Sequence, residues 1–144
     1  MPKCTILIGI PTSGKSTWCR NNTWSEDILS CDHIRLLWFG KHYKYNQSCE
    51  NDVWKHFYES IEKLVIQKED FVIDNTNCRK KYINEITKRL TEDYKIEYIW
   101  FDIPLWKAYC RNIKRWIFED KWIPTKVLKS MNFNYNKLKK EWKE

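Results

Sequence analysis

Residues 9–16, Gly-Ile-Pro-Thr-Ser-Gly-Lys-Ser, match the pattern of a phosphate-binding loop, in which Gly, four residues and Gly precede Lys and a hydroxyl residue. The apolar run Cys4–Ile8 before the loop predicts a buried strand, and Lys15–Asn22 after it predicts a helix. In this order, backbone N–H groups and the positive end of the helix surround a bound phosphate. The three parts together predict a nucleotide site and leave the phosphate acceptor open.

The loop and a later carboxylate predict how the nucleotide is held. We expect Lys15 to reach the β- and γ-phosphates of ATP and the Ser16 hydroxyl to hold Mg²⁺. Asp74 ends the apolar run Phe71–Ile73 and is placed to bind the same ion directly or through water. The residues expected to contact ATP are Gly9, Pro11, Thr12, Ser13, Gly14, Lys15, Ser16, Thr17, Arg111 and Arg115.

Short apolar runs alternate with helical patterns along the chain. Further strands are predicted at Ile28–Ser30, Phe71–Ile73 and Ile96–Phe101, and Gly40–Asn51 is predicted to be a loop. Further helices are predicted over Asp32–Phe39, Asp52–Gln67, Arg79–Thr91, Trp106–Trp116 and from Pro124 onward. This alternation predicts an α/β fold of the P-loop NTPase, kinase type: three layers, a short parallel sheet of about four strands and a helical lid. We expect one domain over residues 1–144, with the lid at about 105–123.

Polar residues follow the predicted strands at the edge where parallel sheets bind ligands. Asp32 and Arg35, three residues apart, share a helix face, so the carboxylate can accept a hydroxyl proton while the guanidinium pairs with a phosphate. A local salt bridge without chemistry is the alternative. Asn75, Thr76 and Asn77 are expected to line the site and to cap the helix that begins near Arg79.

The net charge of +7 lies entirely in residues 105–144, where basic residues outnumber acidic ones eleven to four. This distribution favours a polyanionic partner, and a solvated helix face that only aids solubility is the alternative. Four basic residues form a predicted stripe on the helix over Trp106–Trp116, and this stripe suits a lid whose arginines close over the nucleotide phosphates. Its members are Lys107, Arg111, Lys114 and Arg115.

Other classes of protein are disfavoured by what the sequence lacks. The six cysteines form no Cys-x-x-Cys motif, so we expect free thiols, mostly in the core. No apolar run approaches the ~20 residues of a membrane span, and the N-terminal strand leads directly into the phosphate loop. We therefore expect an intracellular, cytoplasmic protein without a membrane partner. There is no Asn-Lys-x-Asp motif of GTPases, Asp-x-Asp motif of phosphatases or Lys-x-Asp-Gly motif of nucleotidyltransferases.

The ordered set of motifs resembles a known family, the kinase domain of the bacteriophage polynucleotide 5′-kinase/3′-phosphatases. The similar segments are Gly9–Arg20, Asp32-His-Ile-Arg35, Tyr43-Lys-Tyr45, Thr76-Asn77, Arg111–Arg115 and Ile123–Met131. Three features depart from the family: Cys31 replaces the arginine before the catalytic Asp, Asn75 replaces the Asp before Thr-Asn, and Trp116–Trp122 is a more aromatic insertion. The 144 residues contain no counterpart of the phosphatase domain, so we expect no 3′-end healing from this chain.

The resemblance implies transfer of the ATP γ-phosphate to the 5′-hydroxyl of DNA or RNA, with Mg²⁺ as cofactor. It implies catalytic roles for Asp32 as general base and for Lys15, Arg35 and Arg115. Ser16 and Asp74 are the expected metal ligands. Acceptor contacts are expected from Arg35, Tyr43, Thr76 and Asn77. Two alternatives stay open: a P-loop kinase for a small hydroxyl acceptor, and a non-catalytic, ATP-gated module that binds nucleic acid.

Overall fold

The protein forms a parallel sheet flanked by helices, described here from a computed structural model for residues 1–23 and 27–142. The strands are β1 (Lys3–Ile8), β2 (Asp27–Leu29), β3 (Phe71–Asp74) and β4 (Lys95–Trp100). The helices are α1 (Lys15–Asn22), α2 (Cys31–Phe39), α3 (Gln47–Ile66), α4 (Lys80–Thr87), α5 (Leu105–Glu119) and α6 (Thr125–Trp142).

The four strands lie in the order β2-β3-β1-β4, and every pairing is parallel. Since crossovers between parallel strands are right-handed, the connection from β1 to β2 and the connections back toward β4 cover opposite faces. Alternate β1 side chains accordingly point to two cores. Cys4, Ile6 and Ile8 join the large core with α3, α4 and α6, whereas Leu7 packs with residues of α1. This is the predicted three-layer α/β fold.

Three helix boundaries differ from the predictions by three residues or more. Helix α3 begins at Gln47, inside the predicted loop Gly40–Asn51, because the Asn46 side chain caps it by accepting a hydrogen bond from the Cys49 N–H (3.2 Å). Helix α5 continues past Trp116 to Glu119 and ends where Asp120 adopts a left-handed conformation (φ 53°). Helix α4 ends at Thr87, four residues before the predicted end.

The six cysteines are free thiols, as predicted, and four of them are buried: Cys4, Cys19, Cys31 and Cys78. Burial raises the pKa of these thiols, to about 12 for Cys31, so they are neutral packing groups at physiological pH. Within the described residues, no helix is long and apolar enough to cross a membrane.

Candidate active site

The phosphate loop connects β1 to α1, and its backbone conformation depends on both glycines. Gly14 has φ +105°, a region that L side chains rarely adopt. A Cβ atom on Gly9 would lie 2.6 Å from Ser13 Oγ and 2.8 Å from Phe101 Cβ, so no larger residue fits. The Gly9 N–H donates to the Thr76 carbonyl (3.0 Å), which fixes the loop against the residues after β3.

Two side chains of the loop fit a bound phosphate. The Ser13 hydroxyl oxygen is buried and has no hydrogen-bond partner within the described part of the chain. Such an unsatisfied buried group is costly unless a ligand completes it. Lys15 is also buried, and its ammonium group donates to the Gly9 and Ile10 carbonyls (2.7 and 2.9 Å). Its position across the loop is suited to phosphate oxygens.

Ser16 and Asp74 form the candidate cation site. The Ser16 hydroxyl donates to Asp74 Oδ2 over 3.5 Å, which joins the start of α1 to the end of β3. Burial raises the pKa of Asp74, opposed by the charge of Lys15. In turn, burial lowers the pKa of Lys15, and Asp74 opposes that shift. No cluster of three His, Cys, Asp or Glu residues lies within residues 1–23 and 27–142. Two protein oxygens fit Mg²⁺, which usually takes its other ligands from phosphates and water.

Asp32 and Arg35 lie one turn apart on α2, and Arg35 Nη1 donates to Asp32 Oδ1 (2.7 Å). The guanidinium also makes two hydrogen bonds to the buried Glu50 carboxylate of α3, at 2.9 and 2.7 Å. Tyr43 donates its hydroxyl proton to the same carboxylate (3.0 Å). The hydrogen bond from Arg35 is the main cause that lowers the pKa of Glu50. Glu50 therefore stays ionised and fixes the arginine that contacts Asp32.

The Asp32 side chain is 91 % exposed and so is open to an incoming molecule. It nevertheless lies close enough to the loop for its charge to influence other groups there. Burial is the main cause that raises the pKa of Asp74, and the negative charge of Asp32 adds to this effect. The same charge opposes the lowering of the pKa of Lys15 by burial. The structure thus brings together an accessible carboxylate, the loop lysine and the candidate metal ligand.

The two asparagines after β3 form hydrogen bonds to other parts of the backbone instead of capping α4. The Asn75 side chain accepts from the Cys31 N–H (2.9 Å), which ties the start of α2, next to Asp32, to the end of β3. Asn77 is buried and donates to the Leu7 carbonyl (2.7 Å). Helix α4 has no side-chain hydrogen bond at its N-cap, so the expectation that these residues cap it is wrong.

Helix α5 contacts the phosphate loop through its inner half. Arg111 Nη1 donates to the Thr12 carbonyl (2.9 Å), and the Thr12 hydroxyl donates to the Ala108 carbonyl (3.5 Å). One turn later, Arg115 lies near enough to Lys15 for its positive charge to help lower the pKa of Lys15, for which burial is the main cause. Arg111 and Arg115, both predicted lid residues, therefore share the side of α5 that faces the phosphate loop.

The comparisons with known proteins agree with this geometry. A family model described as an AAA domain matches residues 5–138. The chain belongs to this AAA domain family. Among curated proteins, none matches the sequence.

The solved structures similar to this AAA domain include kinases. A chain of the Pnkp1/Rnl/Hen1 RNA repair complex is 26% identical with a TM-score of 0.86, over 97% of this domain and 46% of that chain. A second structure of the Pnkp1/Rnl/Hen1 complex gives 28% identity and a TM-score of 0.66, over 76% and 38%. A gluconokinase from Sinorhizobium meliloti 1021, at 12% identity and a TM-score of 0.55 over 92% and 74%, shares the fold. The AAA domain thus spans less than half the length of the first two chains. Its resemblance to P-loop polynucleotide kinases and its kinase-type fold are confirmed.

Glu50, the residue of the AAA domain that holds Arg35, was not predicted from the sequence. The carboxylate is 15 residues from its partner and lies in the first turn of α3, which was predicted to be a loop. A usable signal exists. Asn46 is an N-cap residue type, and Val53 and Phe57 extend the apolar face of α3 from one turn after Glu50.

Proposed function

We propose that the chain is an ATP-dependent polynucleotide 5′-hydroxyl kinase. The observation that carries the proposal is the exposed carboxylate of Asp32, held by Arg35 beside the phosphate loop. The loop accounts for nucleotide binding, and Asp32 offers a group that can accept a proton from an alcohol. Phosphotransferase chemistry needs both, in a site where an acceptor can reach the carboxylate.

The residues divide the work of the transfer among them. Backbone N–H groups of the loop, Lys15 and the Ser13 hydroxyl hold the phosphates, and Arg111 and Arg115 add positive charge from α5. Asp32 orients the attacking hydroxyl and takes its proton, while Arg35 keeps the carboxylate in place and faces a phosphate of the acceptor or donor. When bound by Ser16 and Asp74, Mg²⁺ neutralises negative charge that develops on the phosphates.

Two observations favour a polymeric acceptor. Residues 105–142, which form α5, α6 and the segment that joins them, hold ten basic and three acidic residues, equal to the whole net charge of +7. A polyanion is the partner that such a surface attracts. In addition, one structure similar at 26% identity is a chain of an RNA repair complex, and the match covers nearly all of the present chain.

A kinase for a small hydroxyl acceptor is the second candidate, favoured by the shared fold of the gluconokinase. A direct assay separates the two. The purified chain is incubated with ATP and Mg²⁺ and with either 5′-hydroxyl oligonucleotides of DNA and RNA or a panel of nucleosides, sugars and other small alcohols. We expect transfer to oligonucleotide 5′ ends at a kcat/KM well above that for any small alcohol.

The reverse order of kcat/KM would overturn the polynucleotide assignment and support the small-acceptor kinase. ATP and strand binding without transfer to any acceptor would support the non-catalytic module. Lys15→Ala serves as the control for contaminating kinase, since a product formed equally by both proteins does not come from this site.

A further inference from the structure

The outer end of α5 and the residues after it expose an unusual amount of aromatic surface. Every residue from 116 to 122 is exposed. Trp116 is 57% exposed, Phe118 77% and Trp122 48%. We refer to the side chains of Trp116 and Trp122 as the aromatic platform. Phe118 follows Trp116 by two residues on α5 and therefore points to a different face of the helix. Scattered apolar residues are normal on a protein surface, but a cluster of large ones marks a site of interaction.

The aromatic platform is held in position. The rings of Trp116 and Trp122 pack edge to face with their centroids 6.0 Å apart. The buried Asn112 side chain donates to the Ile123 carbonyl (2.7 Å) and accepts from the Ile123 N–H (3.2 Å). These two bonds fix the end of the segment to α5. Rings that are already ordered lose less conformational freedom when they bind.

The charges around the platform favour an anionic partner. Both acidic residues of the segment form ion pairs, Glu119 with Arg115 at 3.9 Å and Asp120 with Lys41 at 3.7 Å. Lys114 and Lys121 are exposed on the same stretch of chain. Among the described residues, neither lysine forms an ion pair. Exposed aromatic rings on a stretch of chain with such lysines suit single-stranded nucleic acid, whose bases stack on the rings while its phosphates meet the positive charge.

The platform is continuous with the candidate active site. Helix α5 contacts the phosphate loop at Arg111 and reaches its last residue, Glu119, about 12 Å farther along its axis, from the helical rise per residue. There the ion pair between Asp120 and Lys41 joins it to the loop that follows α2, the helix of Asp32. A strand whose 5′ end lies at Asp32 has the platform within reach.

We propose that the aromatic platform stacks on bases of the acceptor strand, downstream of the nucleotide that receives the phosphate. This proposal rests on the proposed polynucleotide function and adds a specificity element to it. The chain would prefer single-stranded acceptors of several nucleotides over a mononucleotide, because only the longer strand reaches the platform.

The test measures binding and transfer separately. Affinity for a labelled 5′-hydroxyl single-stranded 10-mer is measured by fluorescence anisotropy without ATP. KM is measured with a nucleoside 3′-monophosphate as acceptor. We expect Trp116→Ala or Trp122→Ala to weaken 10-mer binding by about five- to 150-fold per lost base contact. KM for the mononucleotide should stay unchanged.

Two matched variants and one altered strand sharpen the test. Trp122→Phe keeps an aromatic ring and should retain most of the affinity, whereas Trp122→Leu, which is apolar only, should not. Ile66→Ala is the control, since Ile66 is 81% exposed and ends α3 just before the amino end of β3, away from the site. A 10-mer with abasic positions near its 5′ end should bind wild type as weakly as the intact strand binds Trp122→Ala.

Phe118→Ala is a nearby control that should keep 10-mer affinity, because Phe118 is 77% exposed and points to a different face of α5 from Trp116. Unchanged 10-mer affinity in Trp116→Ala and Trp122→Ala would overturn the proposal and leave the patch to a protein partner. Equal losses with Trp122→Leu and Trp122→Phe, or with the mononucleotide, would overturn it as well. If no polynucleotide is phosphorylated but the binding pattern is as expected, the kinase assignment fails and base stacking stands.

Discussion

The proposed nucleotide side and the proposed acceptor side of the site are built from different kinds of interaction. On the nucleotide side, the phosphate loop is shaped by backbone conformation, by glycines and by hydrogen bonds to carbonyl groups, such as those from Lys15. On the acceptor side, Asp32 is held by a chain of side chains that runs through Arg35 to Glu50 and Tyr43. The first side depends on a few adjacent residues, and the second joins two helices.

This difference indicates that the phosphate loop is the constant part of the site and that the side-chain network around Asp32 is the part that can vary. A loop that binds through backbone N–H groups holds the phosphates of any nucleoside triphosphate in the same way. A network of side chains can change with one substitution, so the choice of acceptor is more open to variation. The predictions below test whether the two sides can be disabled independently, in order of decreasing expected effect.

Asp32→Asn should produce the largest loss, about 10²–10⁴ in the rate of transfer, because the amide keeps the shape but cannot accept a proton. ATP·Mg²⁺ and oligonucleotide should still bind. Single-turnover transfer and nucleotide affinity are measured together, with Asp52→Asn on α3 as the control. Part of the loss will reflect the orientation of the hydroxyl, since the transition state is loose. If nucleotide affinity falls as steeply as the rate and excess Mn²⁺ restores both, Asp32 is a metal ligand.

Lys15→Ala should lower transfer by about 10²–10³, because the lysine supplies positive charge where negative charge moves in the transition state. Acceptor affinity should be unaffected, since Lys15 bonds only to the loop carbonyls among the described contacts. The exposed Lys55→Ala is the matched control. Near wild-type turnover in the purified, folded variant would contradict the assignment of residues 9–16 as a phosphate-binding loop.

Arg115→Ala should lower kcat or raise the KM for ATP, with a combined effect of ~10² for one lost charge that stabilises the transition state. Its charge reaches Lys15, so its loss should be felt on the nucleotide side. Steady-state kinetics with ATP varied, and then acceptor varied, assigns the effect. A change confined to oligonucleotide affinity would place Arg115 on the acceptor surface.

Glu50→Gln should destabilise the fold by about 1–3 kcal/mol, as expected when one partner of a charged hydrogen-bonded pair is lost, and should reduce transfer through Arg35. The pKa of Glu50 is lowered in the folded state, so its contribution is present above the unfolded pKa and disappears as pH falls through the folded one. Urea unfolding of both proteins at neutral and acidic pH should therefore show a difference that shrinks in acid. A difference independent of pH would mean that the carboxylate charge contributes nothing.

Asp74→Asn should have the smallest effect on stability, and in the opposite direction. Burial raises the pKa of Asp74, so the ionised group is disfavoured in the folded protein at neutral pH, and the neutral variant should unfold at a higher temperature without Mg²⁺. Added Mg²⁺ should raise the unfolding temperature of the ATP-bound wild type more than that of the variant. Equal Mg²⁺ shifts would show that Asp74 does not hold the ion.

Much of the fold could be predicted because its signals are local. The phosphate loop is contiguous, its glycines are required by φ at Gly14 and by close packing at Gly9, and each strand is a short apolar run. The start of α3 was harder to predict, since its first turn is polar and only Asn46 marks it. The end of α5 was missed because its outer residues are exposed and follow no apolar period.

The parts of the site that escaped prediction join residues far apart in sequence. Glu50 meets Arg35 across two helices, and Asn75 meets the Cys31 N–H over 44 residues. Each contact follows from how α2 packs against α3 and β3, which no spacing in the sequence encodes. The amides after β3 illustrate this: residue type suggested helix capping, whereas tertiary packing assigns them to α2 and β1.

The two hydrogen bonds between Asn112 and Ile123 close the intervening ten residues into a loop whose ends are fixed by one buried side chain. The entropy of closing such a loop changes only slowly with its length. The part beyond Arg115 can therefore be shortened, lengthened or exchanged at modest thermodynamic cost while the phosphate loop keeps its shape. Under the proposal that this part contacts the acceptor strand, it is the region in which acceptor preference can be redesigned while the phosphate loop is left unchanged.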